Sequence, residues 1–115
     1  MKINKIIINL IVISLTITNA ISEEVDFNAK NIEIKDEGNL IFAYDSKTTV
    51  PKQRVYIISD EVRYNKEKDV LFFLKNVNFN DKKNNTTIKS NEIIYEKKKD
   101  IIYSLGDTKF DVDGK

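Results

Sequence analysis

The chain contains no cysteine, no histidine and no tryptophan, and only one proline and three glycines. Without cysteine it forms no disulfide and offers no attachment point for a lipoprotein anchor. Without histidine it lacks the commonest general base and a preferred zinc ligand. The carboxylates are numerous, but most of them lie beside lysines in polar clusters, which is typical of solvated surface pairs. We therefore expect a protein that is not an enzyme and that needs no metal and no cofactor.

The first 22 residues have the composition of a secretory signal peptide. Two lysines precede an apolar stretch over residues 6–17, and small residues follow at Ala20 and Ser22, which are two possible cleavage points. The stretch is shorter than the roughly 20 apolar residues that span a bilayer as a helix. We expect residues 23–115 to form one exported domain, and an uncleaved N-terminal anchor is the alternative.

The charge balance gives no indication of a nucleic-acid partner. Without residues 1–22, 17 basic residues stand against 18 acidic ones, whereas nucleic-acid binding is marked by a strong basic excess. The basic run over residues 97–99 is interpreted as a solvated hairpin tip.

A unit of about thirty residues occurs three times. The clearest copies begin at residues 59–64 (Ser-Asp-Glu-Val-Arg-Tyr) and 90–95 (Ser-Asn-Glu-Ile-Ile-Tyr), and a weaker copy begins at Ala29. Period-two alternation predicts half-buried strands over residues 29–34, 54–64, 77–79 and 87–95, and each opening is followed by a polar cluster of hairpin-loop length and an apolar run. A unit of this length cannot bury its apolar face alone, so the copies must stack. The sequence predicts an all-β domain of stacked antiparallel hairpins.

The period-two alternation also predicts which side chains share the interior. In the first strand of each unit, the inward residues are Ile32, Ile34, Val62, Tyr64, Ile93 and Tyr95. In the second strand of each unit, the preferred inward residues are Ile41, Leu71, Phe73 and Ile102. The rival face of the second strands consists of Phe42, Phe72 and Tyr103. Because the second strands are apolar on both faces, they need two coverings, such as a facing sheet on one side and a neighbouring chain or an apolar ligand on the other.

Three segments carry a family resemblance. They are residues 59–65 with 69–71, the pair Asn76-Val77, and residues 104–108 (Ser-Leu-Gly-Asp-Thr) in the third copy. Together these segments resemble the repeat of the OstA-like domain in lipopolysaccharide transport proteins, and the likeness covers about residues 25–115. Asp45 and Lys75 stand where that family has glycine, which puts the close backbone approach at these two positions in doubt.

The resemblance implies a V-shaped, partly open β-jellyroll that holds the acyl chains of lipopolysaccharide in its apolar interior. The ten inward residues named above would line this groove, and the open sheet edges would dock with similar jellyroll domains. The implied location is the periplasm, in association with the outer membrane and an outer-membrane partner. The amino-acid sequence of the repeats is most similar to that of the N-terminal periplasmic domain of LptD, and LptA is the close alternative.

Two other classes of protein remain open. One is a periplasmic adaptor that docks protein edges over a packed interior and carries no lipid. The other is a fragment of a β-repeat adhesin. A complete LptD would continue into a membrane barrel, so we expect a fragment, a truncated product or a stand-alone domain.

Overall fold

The computed structural model describes residues 25–113, and the predicted signal peptide lies outside this range. The described residues form one antiparallel sheet in which neighbouring strands follow the order of the sequence. The strands are β1 (Asp26–Lys35), β2 (Leu40–Val50), β3 (Val55–Asn65), β4 (Val70–Asp81), β5 (Thr86–Glu96), β6 (Ile101–Leu105) and β7 (Lys109–Val112). The short strands β6 and β7 both pair with β5, one beyond the other, and together form one edge of the sheet.

The predicted polar clusters are the turns of this meander. The chain reverses at residues 36–39, 66–69 and 97–100 on one side of the sheet and at residues 51–54 and 82–85 on the other. Most of these turns contain Asp or Asn at positive φ, among them Asp69 and Asp100, because their short side chains tolerate the left-handed region. Pro51 opens a single helical turn between β2 and β3, where its missing N–H interrupts no strand pairing.

Halfway along the sheet, the strands change which of their residues point inward. Strict alternation would space inward residues by two. In β3, however, buried Ser59 is followed by buried Val62, and in β5 buried Ser90 is followed by buried Ile93. These steps fall inside the repeat openings, within the strands β3 and β5 that the alternation over residues 54–64 and 87–95 predicts. The openings mark a bend in the middle of long strands.

Left-handed backbone conformations accompany the bend. Asp45 in β2, Lys75 and Asn76 in β4, and Gly106 after β6 have φ between +51° and +90°. At this level β4 carries one residue more than β3 and β5, which is a β-bulge. Asp45 and Lys75 thus adopt the conformation that glycine would take, at a cost of about 1–2 kcal/mol for Lys75 and less for Asp45, whose short side chain tolerates it. Absence of glycine does not prevent the bend.

The serine that opens two of the repeats has a clear role at this bend. The Ser59 hydroxyl donates to the carbonyl of Glu61 over 3.1 Å, and the Ser90 hydroxyl donates to the carbonyl of Glu92 over 3.2 Å. Both serines are almost fully buried. They occupy little volume where the sheet turns back, and they satisfy a carbonyl where the strand changes face.

The bend folds the sheet onto itself. Across β4 and β5, Phe79 pairs with Ile88, which lies seven residues from Tyr95. In a flat sheet seven residues span about 23 Å, yet the ring centroids of Phe79 and Tyr95 are 5.5 Å apart with perpendicular planes. The rings of Phe27 and Tyr64, on strands that are not neighbours, likewise meet at 5.9 Å. The sheet is a partly open, V-shaped β-jellyroll, and the predicted fold class is confirmed.

The bend divides the sheet into two arms, wall A and wall B. Wall A contains residues 31–35, 40–44, 61–65, 70–74, 92–96 and 101–105. Wall B contains residues 25–29, 46–50, 55–59, 77–81, 86–90 and 109–112. The buried apolar side chains form one cluster between the walls: Ala43, Val50, Val55, Ile57, Val62, Leu71, Phe73, Val77, Phe79, Ile88, Ile93 and Tyr95. Their burial is the main stabilising contribution, because a fully buried Leu, Ile or Phe contributes about 1.5–3 kcal/mol.

The bend predicts opposite effects of two substitutions. A Cβ atom on Gly106 would lie 2.8 Å from Nδ2 and 3.1 Å from Cβ of Asn91, at a φ of +90°. We expect Gly106→Ala to lower the free energy of unfolding by about 1–2 kcal/mol. Lys75→Gly relieves a strained φ and should leave that free energy unchanged or raise it by up to about 1 kcal/mol. Urea unfolding measures both, and equal losses would contradict the assignment.

Candidate apolar groove between the two walls

The ten residues predicted to line a groove lie in two rows on the inner face of wall A. The row farther from the bend runs Ile34, Ile41, Tyr64, Leu71, Tyr95 and Ile102 across β1 to β6. The row nearer the bend runs Ile32, Ala43, Val62, Phe73, Ile93 and Ser104. The preferred residues of the second strands therefore lie on the same face as those of the first strands.

Exposure differs along these rows. In the middle of wall A, five of the ten side chains are 0–1% exposed, namely Val62, Leu71, Phe73, Ile93 and Tyr95. At the β1 edge, Ile32 is 46% and Ile34 is 65% exposed. Ile41, Tyr64 and Ile102 are half-buried. The centre of the predicted groove is packed in this structure, so a lipid could contact it only if the walls part. Lipid contact at all ten positions stays a prediction.

The sequence does not predict half of the residues that form the apolar interior. Wall B contributes Phe27, Ile57, Phe79, Ile88 and Phe110 to the face that meets wall A. The repeats do not mark the strand segments of wall B, because their openings lie at the bend and their apolar runs lie in wall A. At the bend of β3 and β5, successive inward residues are three positions apart instead of two. This step indicates wall B, because it shows that residues on either side of the bend belong to one continuous interior.

At the β6/β7 edge, a half-open cavity of about 290 Å³ lies between the walls. Its apolar lining comes from Phe79, Ile88 and Phe110 of wall B and from Ile102 of wall A. Its polar lining comes from Asp81, Asn84, Thr86, Ser104 and Thr108. Neither β6 nor β7 is covered by a further strand in the described part of the chain, so the cavity lies at the open side of the V.

At the β1 edge, an aromatic pair spans the gap. The Phe27 ring of wall B contacts the Tyr64 ring of wall A. The Tyr64 hydroxyl donates to Oδ1 of Asp69 over 2.8 Å, and the same oxygen accepts from Nζ of Lys97 over 3.1 Å. The Lys97 side chain is 1% exposed, so interpreting residues 97–99 as a solvated tip is wrong for Lys97, although Lys98 and Lys99 are exposed. A buried ion pair thus anchors the Tyr64 side of this contact.

The rival face, with Phe42, Phe72 and Tyr103, is the outer face of wall A. Phe72 is 38% and Tyr103 is 45% exposed. A depression of about 450 Å³ lies here, with Phe42, Arg63, Phe72 and Leu74 among its lining residues. Arg63 lies 5.9 Å from the centroid of the Phe42 ring and donates to Glu61 over 2.7 Å. Wall A is therefore apolar on both faces, as expected, and wall B covers one of them.

In their own lengths and groupings, the described residues meet the requirements of neither a membrane-spanning helix nor a metal site. Over residues 25–113, no helix is long and apolar enough to cross a membrane. The same residues contain no group of three or more acidic side chains placed to hold a metal ion.

Comparison with known proteins gives matches among solved structures alone. No protein-family profile matches the sequence, and no curated protein matches it either. Among solved structures, the chain is similar to that of LptH from Pseudomonas aeruginosa, described as the LptA-homologous periplasmic component of the lipopolysaccharide transport device. The TM-score is 0.43 at 8% identity, over 78% of this chain and 95% of that chain. At this level the likeness decides nothing further, and the fold class rests on the register and ring contacts described above.

The anchored tyrosine makes stability depend on alkaline pH. Burial, and then the hydrogen bond to Asp69, raise the pKa of Tyr64 well above its usual value of 10. The stabilisation is fully present below the unfolded pKa of about 10 and is lost as the pH rises above it, because only the unfolded chain then ionises readily. We expect Tyr64→Phe to lose less stability than wild type between pH 9 and 11 in urea unfolding. Tyr56→Phe, on the outer face of wall B, is the control, and equal losses in wild type and Tyr64→Phe would contradict the assignment.

Proposed function

We propose that this protein carries lipopolysaccharide across the periplasm, as a non-enzymatic domain of the LptD or LptA type. The acyl chains would lie between the two walls, against the inner face of wall A. The observation that carries the proposal is an apolar interior formed by two walls that are joined at the bend and open at both edges. The three repeats that resemble the OstA-like domain point to the same ligand.

Energetics favour an apolar ligand in such an interior. Burying an acyl chain contributes about 0.8 kcal/mol per methylene. The walls contact each other through side chains such as Phe73 and Tyr95, and acyl chains could replace these contacts without leaving a backbone group unpaired, because the strand pairing lies within the walls. Parting the walls would expose apolar surface when no lipid is present, which favours the closed state in the free protein.

The sheet edges suit end-to-end docking. In the described part of the chain, β1 pairs only with β2, while β6 and β7 pair only with β5. Unpaired N–H and C=O groups on such strands are a template for strand addition. We propose that these edges dock with similar jellyroll domains, including one at the outer membrane, so that their interiors form a continuous path.

A second candidate function is an adaptor that docks other domains through these edges and binds no lipid. The five fully buried residues in the middle of wall A favour it, because a permanently packed interior has no room for acyl chains. The two candidates differ in whether lipid reaches the inner face.

Photocrosslinking in cells that make lipopolysaccharide separates the two candidates. A photoreactive residue is placed at Ile102, on the inner face of β6, and separately at Tyr103, its neighbour on the outer face. We expect lipopolysaccharide adducts at Ile102 and not at Tyr103. Phe73, in the closed centre, is the third site, and adducts there would show that the walls part.

Two results would contradict lipid transport in the groove. Adducts at Tyr103 without adducts at Ile102 would place lipid on the outer face. Adducts at none of the three sites, from an exported and folded protein, would favour the docking adaptor.

A further inference from the structure

The turns at the free ends of the two walls differ in charge. On wall A, the turns at residues 36–39, 66–69 and 97–100 contain five basic and five acidic residues. On wall B, the turns at residues 51–54 and 82–85 contain four basic residues and no acidic residue. These two turns are called the rim of wall B below. Its basic residues are Lys52, Arg54, Lys82 and Lys83.

The two turns of the rim lie side by side. Strands β3 and β4 are paired up to Val55 and Asp81. Beyond that pair, the backbone N–H of Lys82 donates to the carbonyl of Arg54 over 2.9 Å. This hydrogen bond joins the last residue of one turn to the first residue of the other, so the four basic residues form one cluster. Like charges held this close repel one another, and the cluster itself therefore does not stabilise the fold.

Carboxylates do not neutralise the rim. All four basic residues are exposed, and within residues 25–113 none of their side chains forms an ion pair. The acidic residue that precedes the second turn, Asp81, accepts hydrogen bonds from the backbone N–H and the side-chain amide of Asn84 over 3.1 and 2.8 Å. On wall A, by contrast, Nζ of Lys97 lies 3.1 Å from Oδ1 of Asp69. The rim thus presents positive charge that an external anion can neutralise.

The rim lies at the mouth of the apolar interior, which is the gap between the turns of the two walls. The rings of Phe79 and Tyr95 meet between the walls at 5.5 Å. Phe79 lies three residues before Lys82, and Tyr95 lies two residues before Lys97. A molecule whose apolar part lay between the walls at this level would have its polar part beside the turns. Charged groups could not follow the apolar part inside, because burying an unpaired charge is strongly unfavourable.

We propose that the rim of wall B binds the phosphate groups in the polar head of the carried lipid. The inference rests on the proposed function, and it adds which part of the lipid is recognised by charge and on which wall. Lysine and arginine bind phosphate through charge-assisted hydrogen bonds. The phosphates lie on the side of wall B, because the turns of wall A carry no net charge.

Two forms of one lipid test the recognition of phosphate. The full-length chain is expressed, and the exported protein is purified and titrated with diphosphorylated lipid A and with the same lipid without its phosphates. We expect the phosphorylated form to bind about fivefold more tightly at low salt, and this ratio to fall at high salt because ions screen exposed charges. Equal affinities of the two forms at low salt would overturn the proposal.

A matched pair of double variants tests the position of the site. Lys52→Gln with Lys83→Gln removes two charges from the rim, and Lys66→Gln with Lys68→Gln removes two from a turn of wall A. All four side chains are exposed, so both variants should fold like wild type. We expect the rim variant to reduce the preference for phosphorylated lipid A about threefold, and the wall A variant to retain it. An equal loss in both variants, or no loss in the rim variant, would overturn the proposal.

The same variants distinguish the carried lipid from other sources of phosphate. Inorganic phosphate presents the group without a lipid, and vesicles of phosphatidylglycerol present it on a membrane surface. We expect neither to bind wild type more tightly than the rim variant. Binding of either probe that depends on the rim, combined with lipid A binding that does not, would overturn the proposal.

The two proposals fail in different ways. Equal binding of both forms of lipid A, together with lipopolysaccharide adducts at Ile102 in cells, would overturn this inference and leave the proposed function standing. Binding of neither form, together with no adduct in cells, would overturn the proposed function, and this inference would fall with it.

Discussion

An apolar sheet face has to be covered, and in this chain the cover is the other half of the same sheet. The described residues contain no packed helix and no second sheet, so the walls can bury their inner faces only against each other. The bend that allows this requires left-handed backbone at Asp45, Lys75 and Asn76, which costs about 1–2 kcal/mol at Lys75 and less at the other two residues, whose short polar side chains tolerate it. The twelve apolar side chains buried between the walls more than offset that cost. Strand length, buried serines and the bulge in β4 all follow from this one fold of the sheet.

A sheet closed in this way is joined at the bend and held elsewhere by side-chain contacts. Strand pairing stabilises each wall, whereas the contact between the walls depends on apolar packing and on the bridge from Phe27 to Tyr64. Apolar packing is not directional, so acyl chains can take the place of one wall's side chains against the other. The same interaction that closes the free protein would also hold the lipid cargo proposed above.

Part of this architecture could be predicted from the sequence. The polar clusters predicted the turns, and the period-two pattern placed residues such as Val62 and Ile93 on one face. The bend could not be predicted from the pattern alone, because Lys75 adopts a left-handed conformation that lysine rarely favours. For the same reason wall B, with Phe79 and Ile88, could not be predicted. Alternation indicates on which face of a strand a side chain lies, and it carries no information about which distant strand segment that side chain will contact.

The distance between the wall tips tests the account most directly. Lys52 and Lys66 lie in exposed turns at opposite ends of β3, and the chain has no native cysteine to interfere with spin labels at Lys52→Cys and Lys66→Cys. In a flat sheet the ten residue steps of β3 would separate its ends by about 33 Å. Packed sheets are about 10 Å apart. Pulsed dipolar spectroscopy should therefore find a distance between the labels that equals this spacing plus the length of the label linkers. The distance should increase when lipopolysaccharide is added. A distance of 33 Å or more in the free protein, or an unchanged short distance with lipopolysaccharide bound, would contradict the account.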